Sequence, residues 1–150
     1  MDKAYLLAHW QAVRAGLYQT IDAFQDEELV FRPFPSSWTV RELMLHIAHE
    51  EDGELRYGVL QDLKEFPAAY APGAYPTIAS IKETLDRVHA ETMRFLESLP
   101  ESDLGRTITT PWGPSYRLIE MLGHLIEHEI HHRGELSLIL GMLGRRGFDA

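Results

Sequence analysis

SYRLIEMLGHLIEHEIHHRGELSLILGML, residues Ser115 to Leu143, decides the fold. On a wheel at about 100° per residue, Leu118, Met121, Leu122, Leu125, Leu136, Ile139, Leu140 and Leu143 fall on one apolar stripe, which predicts an amphipathic helix. Between Leu125 and Leu136 a polar turn interrupts the stripe: His128-Glu129-Ile130-His131-His132-Arg133-Gly134-Glu135. Apolar residues resume beyond it, so the turn is interior and not a frayed end. An interior polar turn marks a functional site better than a requirement of folding. His132 lies roughly 40° from the centre of the stripe and His128 roughly 80° from it, on the same flank. One helical turn apart, their Cβ atoms are about 5–6 Å from each other, so two imidazoles can share one metal ion. His124 and His131 point away and read as solvated surface residues. Glu129 falls near the centre of the stripe and Arg133 on its other flank. Burying both is expensive unless each finds a partner, Glu129 or Glu50 in the case of Arg133.

Working outward, three more segments carry helical periodicity, from about Asp2 to Phe24, Val40 to Leu63 and Ile78 to Leu99. Thr39-Val40-Arg41-Glu42 has the spacing of a capping box at the start of the second. Pro76 and Pro100 bracket the third. Gly113-Pro114 precedes the last, and Gly144 follows it as a C-terminal cap. The connections are long and rich in proline and glycine. Arg106 to Trp112 is β-branched and alternating, which suits a short extended piece. The expectation is an all-α, four-helix bundle with long connections, one domain over residues 1–150. The order of helices around the bundle does not follow from the pattern.

A two-histidine clamp needs more ligands, and the second segment offers them. Its stripe is Val40, Leu43, Met44, Ile47, Leu55 and Gly58, while His46, Glu50 and Glu54 step along one flank at four-residue intervals. His46 is the third candidate ligand. Glu50 is either a fourth ligand or a second-sphere acceptor that orients His46. His49 sits on the opposite side and is set aside. Three neutral imidazoles suit zinc, nickel, copper or iron. Zinc and nickel come first in our reading, with iron or manganese behind. Three protein ligands leave a position open for water or substrate, the pattern of a catalytic site. Trp38 and Trp112, in loops beside the ligand-bearing helices, read first as caps on a bundle end and second as pocket walls. Trp10 reads as packing or interface area, and Gly134 as a point where another helix comes close.

Composition narrows the function. The 150 residues are 45% hydrophobic and 25% charged, with net charge -9 and no cysteine. An acidic chain without a basic stripe does not suit nucleic acid or an anionic membrane surface. Without cysteine there is no thiolate metal site, no disulfide scaffold and no cysteine nucleophile. Met1-Asp2-Lys3 opens straight into a helical pattern with no apolar signal run, so the expected location is the cytoplasm.

The chain resembles the DinB family of metal-binding bundles. The resemblance rests on Phe31-Arg32-Pro33 and Ser37-Trp38-Thr39-Val40-Arg41-Glu42-Leu43 leading to His46. It rests also on His128-Glu129-Ile130-His131-His132-Arg133-Gly134-Glu135-Leu136, similar to that family's HRGQ-type signature. It implies one histidine from helix 2 and two from helix 4, which map onto His46, His128 and His132. Glu135 departs from the pattern, where glutamine is usual. The resemblance further implies a bundle with one long crossover, a homodimer, a nickel or zinc ion and, where activity is known, transfer or isomerisation that depends on a low-molecular-weight thiol. The leading expectation is a metal-dependent thiol S-transferase or isomerase acting on small electrophiles. A second is a metal-dependent hydrolase, since His128-Glu129-Ile130-His131-His132 matches HExxH with Glu129 as base. The extended metzincin form, with a downstream glycine and third histidine, is missing, so a peptidase is not favoured. A third is a non-catalytic metal- or small-molecule-binding bundle.

Overall fold

The computed structural model describes residues 2–147. Its four long helices are α1 (Lys3–Ile21), α2 (Val40–Gly53), α3 (Ile78–Ser98) and α4 (Leu118–Met142), with a hairpin of β1 (Thr107–Thr109) and β2 (Ser115–Arg117) before α4. The helices start where side chains can satisfy the free backbone N–H groups of a first turn. Asp2 accepts from the Tyr5 N–H at 2.7 Å. Thr39 accepts from the Glu42 N–H at 3.2 Å while Glu42 accepts from the Thr39 N–H at 2.7 Å, so the expected capping box is formed. At the far end of α4, Gly144 takes φ +79°. There the Arg145 N–H bonds Leu140 O at 2.8 Å and the Gly144 N–H bonds Gly141 O at 3.1 Å, a Schellman closure.

Two boundaries differ from expectation. The second helix does not run unbroken to Leu63: α2 passes into a π turn, Glu54–Val59, in which the Leu60 N–H reaches back five residues to Leu55 O at 2.8 Å. Gln61 then takes a left-handed φ of 53° that no helix continues through. Residues 115–117 open no helix but pair antiparallel with 107–109, with Ile108 opposite Tyr116. The extended piece read at Arg106–Trp112 is therefore real, and its partner is the start of what looked like helix.

The principal packings are α2 on α3, α1 on α4 and α2 on α4, with α1 on α3 more lightly. Around the bundle the order is α1, α4, α2, α3. The chain thus crosses between diagonal positions twice, from α1 to α2 and from α3 to α4, where the resemblance implied one crossover. Two apolar lobes fill the interior. One holds Leu17, Ile21, Met44, Ile47, Leu85 and Leu136, the other Leu6, Trp10, Leu55, Leu96, Leu122 and Leu125. Among the described residues no helix is long and apolar enough to cross a membrane.

Candidate metal centre

His46, on α2, and His128 and His132, on α4, meet between the two helices. His128 Nε2 is 3.1 Å from His46 Nε2 and 3.0 Å from His132 Nε2. The two α4 rings follow from the four-residue spacing, and the α2 ring from the packing of that helix on α4. His132 is buried, and His46 and His128 are half-buried. Burial first, and the neighbouring His132 second, hold His46 down at about 4 and His128 at about 3, so both are neutral at pH 7. Neutral imidazole is the form that ligates.

The tautomer of His132 is set from behind. Its Nδ1–H donates to Glu135 Oε2 at 2.5 Å, which turns the Nε2 lone pair inward. Glu50 lies behind His46, with Oε1 3.7 Å from Nδ1, an ion-pair distance longer than a hydrogen bond. His128 Nε2 can give at most one hydrogen to its two Nε2 neighbours, so at least one inward lone pair remains unmet. A cation that binds nitrogen at about 2.0–2.1 Å fits that donor set. Trp38 closes one side, its ring 4.4 Å from that of His46 and 6.2 Å from that of His132. It is a wall of the site, not merely a cap on the bundle end.

Glu129 is placed elsewhere. It is 2% exposed, it accepts from Trp10 Nε1 at 3.0 Å and from Arg14 Nη2 at 2.9 Å, and its carboxylate is not grouped with the three imidazole nitrogens. Its Oε2 is met in the core by Arg14 and Trp10, and the HExxH spacing does not bring the carboxylate into the group of imidazole nitrogens. Arg14 is a cation on Glu129, and Arg133 is half-buried on α4 one position past His132. The Gly134 reading is corrected, since among the described residues nothing lies within 4 Å of a Cβ built there. His49 bonds Pro67 O through Nε2 at 2.8 Å, but its Nδ1 lies 3.6 Å from Glu50 Oε1 and it groups with His46 and Glu50, so it does not sit on the opposite side of the helix from them; His124 and His131 are exposed.

The sequence reading missed a buried ionic layer between the two apolar lobes, to which every helix contributes one residue. Arg14 Nη2 donates to Glu51 Oε2 at 2.5 Å as well as to Glu129, and His89 Nδ1–H donates to Glu51 Oε1 at 2.8 Å. Burial works to raise the Glu51 carboxyl, but Arg14 and the His89 hydrogen bond bring it below its ordinary value. Burial first, with the Glu51 charge adding to it against Arg14, holds the Glu129 carboxyl above its ordinary value. The signal was present: Glu51 stands four residues from both Ile47 and Leu55, where the stripe calls for an apolar side chain.

Helical bundles build metal sites from side chains on facing helices, and here three imidazoles on two such helices converge. The DinB superfamily profile matches residues 9–136. The chain belongs to that superfamily. It is 26% identical over 132 residues to YizA of Bacillus subtilis strain 168, covering 87% of this chain and 80% of that one. YfiT from Bacillus subtilis, a probable metal-dependent hydrolase with an unusual four-helix bundle topology, superposes with a TM-score of 0.72 at 21% identity, covering 95% of this chain and 88% of that one. A mycothiol-dependent maleylpyruvate isomerase superposes with a TM-score of 0.69 at 13% identity, covering 91% of this chain and 61% of that one. At these identities the structural likenesses establish the fold.

Proposed function

We propose that His46, His128 and His132 hold one divalent cation, zinc or nickel first, and that the protein is a metal-dependent S-transferase or isomerase that uses a small thiol against electrophiles. The observation that carries the reading is the convergence of three imidazoles, with His128 Nε2 3.1 Å from His46 Nε2 and 3.0 Å from His132 Nε2 and one ligand atom of each within 4.8 Å of the others. When bound, the cation supplies Lewis acidity at its open position, where it would lower the pKa of an incoming thiol. The chain's own residues do the rest. Glu135 holds His132 in the ligating tautomer, burial keeps His46 and His128 unprotonated, and Trp38 shields one side from water.

A thiol is favoured over water by the placement of the carboxylates. Glu129 is tied to Arg14 and Trp10, while Glu50 and Glu135 lie behind the imidazoles, on their Nδ1 sides. No carboxylate among these three faces the Nε2 side to take a proton from water. A thiol whose ordinary pKa is about 8–9 needs less help. The maleylpyruvate isomerase is named for its thiol, and YfiT for hydrolysis, so both reactions belong in the first assays. A homodimer and a cytoplasmic location remain parts of this proposal, the dimer to be checked by sedimentation.

The test is elemental analysis of tag-free protein, wild type and His132→Ala, followed by turnover of a small electrophile with added thiols. About one equivalent of metal, lost in the variant, is expected. Wild type that stays empty after reloading with zinc and nickel would refute the site. Hydrolysis without thiol dependence would refute the transferase reading and leave the metal reading standing.

A further inference from the structure

Beyond the histidines lies a cleft of about 340 Å³ lined by Glu54, Trp112, Tyr116, Glu120, Met121 and His124. The cleft is built, not incidental. Its floor is the π turn, a wide helical turn that recurs at functional sites, and Glu54 is the first residue of that turn. Its aromatic wall is the hairpin tip, seated directly on backbone: a Cβ on Gly58 would lie 2.8 Å from Trp112 Cη2 and 3.2 Å from Met121 Cε. Tyr57 backs Trp112, with ring centroids 5.9 Å apart.

The chemistry of the lining is one-sided. It offers two carboxylates, two aromatic faces and a thioether, and no lysine or arginine lines it. Glu120 is paired with Arg117 at 2.7 Å. Glu54 has no lysine or arginine within ion-pair distance among the described residues, though it is half-buried, and burial pushes its carboxyl up. A half-buried carboxylate with no permanent cation beside it, only the titratable His124, and sharing a cleft with a tryptophan and a tyrosine, is a donor set that takes an organic cation: Coulomb attraction from one side, ring quadrupoles from the other.

We infer that this cleft is a subsite for an aliphatic ammonium group on the substrate or thiol of the metal centre. His124 links the two places. Its ring is 6.3 Å from that of His128, one helical turn nearer the cleft. By helical rise the ammonium sits on the order of 10 Å from the three Nε2 atoms, so the molecule is short, with its reactive atom at one end and its cation at the other. The inference rests on the proposed metal function only for what lies at the far end of that molecule. Occupancy of the cleft is a separate property.

The test follows the Trp112 indole N–H by NMR in metal-free protein during titration with choline and, separately, with its uncharged carbon isostere dimethylbutanol. Choline should shift the signal saturably, and the isostere should need at least roughly tenfold more. Glu54→Gln, which keeps shape and removes charge, should weaken choline by roughly tenfold with the rest of the spectrum unchanged. The same titration on His132→Ala should match wild type, so a failed metal site and a failed subsite register in different measurements. Equal binding of the two probes, an unchanged choline affinity in Glu54→Gln, or no saturation by choline would overturn the assignment.

Discussion

At the scale of single residues, the site depends on which nitrogen of each imidazole carries hydrogen. Glu135 settles this for His132 through the 2.5 Å contact to Nδ1. Glu135→Ala should lower metal affinity by roughly 10–100-fold, while Glu135→Gln, which still offers an oxygen acceptor, should lose less; a competitive chelator titration reads both. The two depressed imidazoles also predict a pH dependence. His46 and His128 bind protons in the unfolded chain below about 6.5 but resist them in the fold until about 4 and 3. Across that window the unfolded state holds more protons, so metal-free protein loses stability as pH falls from 6.5 toward the folded values. Urea midpoints measured across that range should fall in wild type and fall less in a His46→Gln, His128→Gln double variant. The three candidate ligands were legible because metal binding needs a spacing, and spacing survives in one dimension. Glu135 was noticed only as a departure from a motif, because what it does depends on the His132 ring that it touches.

At the scale of elements, most helix starts were visible in the sequence and two boundaries were not. Thr39 and Glu42 announce α2 because capping is local chemistry, complete within four residues. Removing the Thr39 oxygen by substitution with alanine should cost about 1 kcal/mol in urea unfolding. The same change frees the chain next to Trp38 and should broaden that residue's indole signal. The π turn and β2 were hidden because neither is decided locally. The π turn leaves Gly58 beneath a tryptophan that lies 54 residues later in the chain, and Ser115–Arg117 extends only because Thr107–Thr109 is there to pair with it. Gly58→Leu should push Trp112 off its seat, at a cost of about 1–3 kcal/mol in urea unfolding.

At the scale of the molecule, Arg14, Glu51, His89 and Glu129 divide the core into two apolar lobes. Their carboxylates would be costly to leave alone: Arg14→Met by itself should destabilise by about 3–5 kcal/mol, because two buried acids lose their cation. Replacing all four with apolar residues of similar volume should recover most of that loss, as read by urea unfolding. Glu129→Gln should reduce stability yet retain a full equivalent of metal and the turnover of the folded protein, whereas loss of turnover with metal retained would mark it as the base that HExxH suggested. The bundle itself was legible from four amphipathic segments. Its circuit α1, α4, α2, α3 was not, since long connections permit several orders and only the packed faces choose among them.

That circuit has a consequence for how the protein is made. His46 and His128 meet across a sequence separation of 82, with α3 and the hairpin between them. During synthesis α2 is complete long before α4 exists, and chains grow at about 5–20 residues per second. A nascent chain therefore offers one ligand of the three for several seconds. On the proposed reading, a metal ion would meet its full donor set only once translation has carried His128 and His132 out of the ribosome.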